Sequence, residues 1–498
     1  MKQKLIIFIL FTFSGITQAQ YLHNKWLWGE FGTPPPPFGG SKMVFNNSTR
    51  TISLDPRNLW INGTFSGLSD TDESWFIYSN GAAICNKNHD TLVNGSDLGP
   101  GAEPISIQGL KGIAQVIFFP GDTINQRHYL FHQNTQLTLP GHPAGNQPSS
   151  LQLYYTVINP TGNGGQGEVI SKNNLIINDT LENGNVLAVR HANGRDWWVV
   201  VKKFYVDLFY AILVTPDSVY APISYSSQAP IAIVGGQACF SPNGEYYASF
   251  SSNLRVFDFD RCNGVASNYR GKFISAILAG GLSFSPNSRF LYISKTDTLW
   301  QFDMQAPDVL SSQTFIAKYD GFVDSISGTG TIFWTHWLAP DGKIYIISTQ
   351  LNRRVHIINN PDMPGQACDF QQHAIQLPTY IQGYTIPTPI NLALYHNPDS
   401  PCDTLGVGSP KLQNTNSVLK ITPNPSDGIF SIEYIPQRVS GMLYVYDIAG
   451  TEVYREYVSP YTSIKNLALS EKLNNGMYAV CLVFGNNTLT QKIIIQKD

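Results

Sequence analysis

Along most of the chain, apolar and polar side chains alternate with a period of two, in short runs bounded by Gly, Asn, Asp and Pro. That is the pattern of strands joined by tight turns. Trp75–Tyr78, Tyr129–His132, Leu151–Val157 and Lys343–Ile347 are such runs, and long helical patterns are absent. Asn193-Gly194, lying between Val186–His191 and Trp197–Val201, predicts a hairpin whose two turn positions both take positive φ. The most informative feature is an internal repeat. Cys239-Phe240-Ser241-Pro242-Asn243-Gly244 leads into 245–250 and 254–259. Ser283-Phe284-Ser285-Pro286-Asn287-Ser288 leads into 289–294 and 298–302, and Trp337-Leu338-Ala339-Pro340-Asp341-Gly342 into 343–348 and 354–358. Each unit reads strand, Pro-Asn/Asp turn, strand, turn, strand, with its turn proline roughly 45–55 positions from the next, near the period of a propeller blade.

One small sheet cannot bury both of its faces, whereas sheets packed radially around an axis can. The fold class expected is therefore all-β: a β-propeller over residues 20–399, with about seven blades at that period. Six or eight also fit, because the first half repeats poorly. The rival arrangement is two or three separate sandwiches. Closure is expected to pair N-terminal strands, around Trp26–Phe31 and Met43–Leu54, with strands near Ile390–Tyr395. The repeat resembles the WD-repeat-like and YVTN-like propellers of secreted bacterial proteins. Asp258-Phe259-Asp260-Arg261-Cys262 and His191-Ala192-Asn193-Gly194-Arg195-Asp196-Trp197-Trp198 resemble phrases of Bacteroidetes surface proteins. The resemblance implies fold and not chemistry.

After Asp399 the composition changes. Residues 400–417 are rich in Ser, Pro, Gly, Asn and Thr and read as a linker. Residues 418–498 return to alternation at Phe430–Tyr434, Met442–Tyr446, Glu452–Tyr457, Met477–Phe484 and Lys492–Gln496, enough for a small antiparallel sandwich. Four ordered elements there resemble the type A C-terminal sorting domain of type IX secretion. They are Pro423-Asn424-Pro425 with Gly428, then Asp447 and Gly450 in a Tyr-Asp-x-x-Gly hairpin. Gly476 and Tyr478 follow in a Leu-x-x-Gly-x-Tyr-x-Val element, and the closing strand runs from Lys492 through Ile493-Ile494-Ile495 to Lys497. The departure is Asp498 after the usual lysine. The resemblance implies passage across the outer membrane with the type IX secretion machinery as partner, removal of the domain by a sortase-like peptidase, and release or surface attachment. A strand at a sheet edge that ends a chain suits reading by a partner through β-augmentation.

Composition then narrows the function classes. Of 498 residues, 42% are hydrophobic and 13% charged, so a core can form. A net charge of −3 without a Lys/Arg cluster gives no footprint for nucleic acid. Residues 1–19 read as a signal peptide: Lys2 and Lys4, an apolar run from Leu5 to Phe13, and Thr17-Gln18-Ala19 before cleavage that would leave Gln20 first. That run is too short to span a bilayer, and no later segment is longer and as apolar. An exported chain meets an oxidising compartment, where Cys239–Cys262 and Cys368–Cys402 are the bridges suggested by proximity. Packed thiols are the alternative for each of the six cysteines.

Chemistry is sparse. His128 and His132 lie four apart in a strand, roughly 13 Å, too far to share an ion. His191, His336, His356, His373 and His396 are isolated and read as packed or exposed imidazoles. Asp258 with Asp260, and Asp70 with Asp72, are carboxylate pairs for which turn capping is the simpler role. No GxSxG, HExxH, phosphate loop or EF-hand string occurs, while a Ser-His-Asp set built from distant positions stays open. Asp-Ser/Thr-aliphatic triplets at Asp90, Asp122, Asp179, Asp297, Asp324 and Asp403 resemble the O-glycosylation acceptor of Bacteroidetes exported proteins. No catalytic, cofactor-binding or metal residue is assigned. The expectation is a non-enzymatic surface or secreted propeller that binds an extracellular protein, glycan or matrix ligand. The alternative is a secreted degradative enzyme, a glycan hydrolase, lyase or peptidase, with its site on one propeller face.

Overall fold

In a computed structural model of the chain, the described residues are 21–29, 36–46, 49–61, 63–70, 73–99, 110, 115–121, 126–134, 149–182, 184–231, 236–274, 280–348, 351–381, 390–392, 394, 400, 402, 419–434, 440–459, 462, 464–484 and 487–497. The signal peptide and nearly all of the linker read from the sequence lie outside them.

Seven small antiparallel sheets precede residue 382. Blade 1 is Lys25–Gly29, Gly40–Asn46 and Thr49–Leu54; blade 2 is Ser66–Asp70, Phe76–Ser79 and Ile84–Asn86, with Tyr21–Leu22 added beside its first strand. Blade 3 is Val116–Pro120, His128–Gln133, Ser149–Asn159 and Glu168–Glu182; blade 4 is Leu187–Arg190, Trp197–Lys202, Phe209–Val214 and Ile223–Tyr225. Blade 5 is Gln237–Phe240, Tyr246–Phe250, Asn253–Asp260 and Val265–Phe273. Blade 6 is Gly281–Phe284, Phe290–Lys295, Thr298–Asp303 and Thr314–Lys318; blade 7 is His336–Leu338, Ile344–Ile347, Asn352–Ile358 and Phe370–Ile381. Among the described residues each sheet packs on the next, blade 1 on blade 2 through Leu27 with Phe65, Phe76 and Tyr78, and blade 7 returns to blade 1, the arrangement of a β-propeller with seven described blades.

The repeat marks one turn seen three times. In blade 5, Gly244 N donates to Ser241 O (2.8 Å), Tyr246 N to Ser241 Oγ (2.9 Å) and Glu245 N to Asn243 Oδ1 (3.1 Å). Pro242 supplies the fixed φ and Gly244 the left-handed one, at +71°. Blade 6 copies the bonds with Ser285 and Asn287, but Ser288 takes the glycine's place at φ +61°. Its hydroxyl accepts the Asn243 amide (3.0 Å), and the Asn287 amide donates to Asp362 of blade 7 (2.9 Å). The repeated turn is thus also a joint between blades.

Seams between blades are closed by polar side chains, because the first strand of a sheet pairs along only one edge in every blade but the second, where Tyr21–Leu22 covers part of the other. Gln237 reaches two blades: its Nε2 donates to His336 O (2.6 Å) and its Oε1 accepts from His336 N (3.1 Å) and Leu282 N (3.3 Å). Asn185 accepts from Ala238 N, and Ser66 from Phe118 N. Between blades 1 and 2 the buried Arg57 guanidinium holds Asp55, Leu59 O and Trp28 O.

Three expectations are corrected. Closure does not use 390–395: the described residues there form no strand, and blades 1 and 7 meet through Ser41 Oγ, 2.5 Å from Thr379 Oγ1 and accepting from Thr379 N. The hairpin of blade 4 is real, with Arg190 opposite Trp197, but its turn spans His191 to Asp196 and only Gly194 of the Asn-Gly pair has positive φ, +75°. Cysteine pairing follows neither suggested bridge. Cys262 bonds Cys402, while Cys85, Cys239 and Cys368 are buried free thiols.

The C-terminal part is a sandwich of two sheets. Lys420–Thr422, Ile429–Glu433 and Ile464–Ala468 form one; Glu452–Val458, Gly441–Tyr446, Gly476–Phe484 and Asn487–Ile495, in that order, form the other. Phe430, Ile432, Leu443, Val445, Val480, Leu482 and Ile493 fill the space between them. Two strands, 420–422 and 464–468, were not read from the sequence, being too short or too polar to show alternation.

Candidate functional site

The terminal strand, Asn487–Ile495, is an edge strand whose inner edge pairs with Gly476–Phe484 along its whole length. Alternation aims the backbone groups of residues 488, 490, 492, 494 and 496 the other way. Near the chain end that outer edge is taken by the Pro-Asn-Pro segment. Asn424 Oδ1 accepts from Ile494 N (2.9 Å) and Asn424 Nδ2 donates to Lys492 O (2.8 Å). Ser426 N donates to Ile494 O (2.9 Å) and Ser426 O accepts from Gln496 N (2.8 Å). Both peptides that precede the prolines of this segment, Thr422–Pro423 and Asn424–Pro425, are cis. Among the described residues, no bond reaches the outward backbone of Thr488 or Thr490.

Other predicted residues support this clamp. Gly428 turns the chain at φ +105°, where a Cβ would lie 2.6 Å from Ser470 Cα. Lys497 is fastened beyond the strand: its amide donates to Asn475 Oδ1 (2.8 Å), its carbonyl accepts from Asn475 Nδ2 (3.3 Å), and its ammonium donates to Ser470 O. Gly476 starts the partner strand opposite Ile495, and the Tyr478 hydroxyl bonds both Asn474 N and Asn474 O at 3.1 Å. Lys492 stays exposed opposite Ala479. Asp447 and Gly450 build a separate turn, with the Asp447 carboxylate accepting from Ala449 N (2.9 Å) and Thr451 N (2.8 Å). Sequence reasoning missed Ser426, Ser470 and Asn475. Ser426 and Asn475 adjoin the motif positions, and an amide or hydroxyl beside a turn glycine was the available signal.

Residues 420–496 match the family model of the secretion system C-terminal sorting domain. The tail is a secretion sorting domain. It directs the chain to export, with an outer-membrane surface or extracellular destination. Among the described residues, no helix is long and apolar enough to cross a membrane. A comparison with curated proteins finds no match. Among solved structures, the chain is similar to a putative 6-phosphogluconolactonase from Bacteroides fragilis at 11% identity, covering 74% of this chain and 98% of that one, with a TM-score of 0.43. It is similar to PorZ, a surface component of the type-IX secretion system of Porphyromonas gingivalis, at 12% identity over 92% and 63%, TM-score 0.34. A periplasmic gluconolactonase of Pseudomonas aeruginosa gives 12% identity over 74% and 97%, TM-score 0.40. Likenesses this distant carry no functional argument.

In the propeller, the candidate chemical groups are engaged in structural bonds. Asp258 pairs with Arg270 (2.5 Å) and Asn268 (2.8 Å), while Asp260 caps its turn through Cys262 N (2.8 Å) and Asn263 Nδ2 (2.6 Å). Asp70 accepts from Trp75 N (3.2 Å) and the Ser74 hydroxyl; Asp72 lies outside the described residues. Ser348 Oγ lies 3.3 Å from His356 Nε2, but His356 Nδ1 accepts the His373 amide (2.9 Å). The ring proton therefore sits on Nε2, and an imidazole in that tautomer donates to the hydroxyl instead of taking its proton. Burial pushes His128, His132, His336 and His356 down to about 3, so all four are neutral. Of the Asp-Ser/Thr-aliphatic triplets, Thr91 and Ser325 are exposed, Thr180 and Thr298 are half-buried, and those at Asp122 and Asp403 lie outside the described residues.

Proposed function

We propose that this is an exported, non-enzymatic propeller protein that binds an extracellular protein, glycan or matrix ligand through its rim loops, and whose sorting domain is read at the terminal strand by the type IX secretion machinery. Residues 1–19 act as the signal peptide, 20–399 as the binding body, 400–417 as the linker and 418–498 as the sorting unit. The observation that carries the reading is the clamp. Asn424 and Ser426 hold the strand's last residues rigid while leaving the outward backbone around Thr488 and Thr490 for a partner to pair with. Supporting the non-enzymatic part, the carboxylates and the Ser348–His356 pair are occupied with capping, ion pairing and packing.

Deleting residues 418–498 in the native host tests the sorting role. Full-length protein is expected in the medium or on the surface and the truncated chain in the periplasm; unchanged export refutes it. For the body, saturable binding on a protein or glycan array is expected, and hydrolysis of an arrayed glycan or peptide would reverse the assignment.

A further inference from the structure

A sandwich whose outer face meets only water alternates apolar with polar along its strands. The two middle strands of the larger sorting-domain sheet do not. Leu443 and Val445 of Gly441–Tyr446 fill the core, yet Met442, Tyr444 and Tyr446 point outward and are half-buried. In the neighbouring strand Val480 and Leu482 point inward, while Ala479, Cys481 and Val483 point outward. Nothing in the propeller covers this face: at its rim Tyr457, Met477 and Ile494 are 48%, 46% and 37% exposed. Exposed apolar patches of this kind mark interaction sites.

The relief of the face is ordered. Met442 lies opposite Val483, Tyr444 opposite Cys481 and Tyr446 opposite Ala479. Large side chains on one strand thus stand beside smaller ones on the next, a ridge along a trough. Tyr444 and Tyr446 stack along the ridge, with ring centroids 5.9 Å apart. Thr490 Oγ1, from the terminal strand, donates to Cys481 Sγ in the trough (3.4 Å). Charges flank the apolar centre in a single row. Glu452 lies opposite Tyr446 on one side, and Lys492 opposite Ala479 on the other. Glu452 is 3.6 Å from Arg455 of its own strand, an exposed pair worth little. The Lys492 ammonium meets no carboxylate among the described residues.

Two in-plane two-fold axes could lay this face on a copy of itself, and they differ in outcome. An axis across the strands sets ridge on ridge and keeps Glu452 and Lys492 on separate edges. An axis along the strands, between ridge and trough, keeps every row and exchanges its two sides. Tyr444 and Tyr446 of each copy then lie over Cys481 and Ala479 of the other, and Glu452 lies over Lys492 twice. We propose that this face is a self-association surface, on which a second copy of this chain seats its ridge in the trough about a two-fold axis along the strands. Four strands of about six residues make a face of roughly 19 Å by 20 Å, about half of what a standard interface covers on each partner. Pairing is therefore reversible, half-complete at roughly 0.1 mM. It leaves the outward backbone of Thr488 and Thr490 clear, since that edge points along the sheet and not out of its face. The proposal goes beyond the sorting reading and does not rest on it.

Sedimentation of residues 20–498 between roughly 10 µM and 0.5 mM tests it, with wild type expected to pass from monomer towards dimer over that range. Glu452→Lys and Lys492→Glu each set like charges across the interface and should weaken pairing roughly tenfold. Mixed together, the two variants should pair again, because each lysine of one then meets a glutamate of the other. Should either variant fail to fold, alkylation of wild-type Cys481 decides: the half-exposed thiol should react several-fold more slowly as the chain is concentrated. A chain that stays monomeric, or folded variants that do not pair when mixed, overturns the proposal. Slow alkylation at every dilution would put another part of the same chain on the face, and fast alkylation at every concentration would leave it to a different protein; either result overturns it as well.

Discussion

Replacing Asn424 with alanine removes two side-chain bonds from the outer edge of the terminal strand, to Lys492 O and Ile494 N, the only ones there among the described residues. Each such bond contributes about 0.5–1.5 kcal/mol net, so local opening should become easier by about 1–3 kcal/mol, or roughly 5- to 150-fold. Hydrogen exchange of the full chain, followed on peptides covering 487–497, reads this directly. The Ile494 amide, and Gln496 through its bond to Ser426, should exchange faster, while the core strand 476–484 keeps its protection. Asn424→Asp supplies a control. It retains an acceptor for the Ile494 amide and loses the donor to Lys492 O, so roughly half the effect should remain. The same variants assayed for export should rank in the same order. Unchanged exchange at Ile494 in Asn424→Ala refutes the clamp, and so does acceleration spread evenly over the domain, because then Asn424 serves the fold and not the strand.

Acid should loosen the propeller. Buried His128, His132, His336 and His356 are pushed down to about 3 while their unfolded value is 6.5, so the unfolded chain binds protons that the folded one refuses as pH falls below 6.5. From pH 7.5 to 5.5 each loses about 1.4 kcal/mol and the four about 5.5 kcal/mol. Asp362, pushed up to about 6 by burial against the bond from the Asn287 amide, works in the opposite direction and returns roughly 1 kcal/mol. A thermal midpoint flat or rising over that range contradicts this. Gly244→Ala meets both a left-handed φ and Arg261 Cδ at 2.7 Å, whereas Gly342→Ala meets its φ of +76° with nothing nearer than Pro286 Cγ at 4.0 Å. The first should cost about 2–4 kcal/mol and the second about 1–2 kcal/mol by thermal unfolding, and equal costs would argue against a packed blade 4–5 joint. If the Asp-Ser/Thr-aliphatic triplets carry glycans, protein from the native host gains mass at exposed Thr91 and Ser325; a mass equal to the bare processed chain removes the idea.

The second half of the propeller was legible because Ser241 and Asn243, and again Ser285 and Asn287, perform their turn's hydrogen bonding locally, and local chemistry leaves a sequence mark. Blades 1 to 4 lack that turn. Blade 3 instead uses strands of 11 and 15 residues broken by register shifts, which blur any period. Closure was misread because the hydroxyl pair Ser41–Thr379 joins positions 338 apart, and a serine and a threonine carry no signal of whom they meet. The cystine was misread for the same reason: proximity along the chain favoured Cys239 for Cys262, whereas its partner is Cys402, 140 positions away. In the tail, Pro423, Asn424, Pro425 and Gly428 were visible as a motif. That Asn424 grips the far end of its own domain was not, since nothing at position 424 points to 492 or 494.

Every blade here is built from consecutive strands, apart from the two residues Tyr21–Leu22 laid beside blade 2. Among the described residues, no sheet is completed by joining the beginning of the ring to its end. A gene for such a ring can therefore gain, lose or reorder whole units without having to rewrite a shared terminal sheet at the same moment. Cutting the circle between any two units and rejoining the old ends should therefore leave all seven described sheets intact.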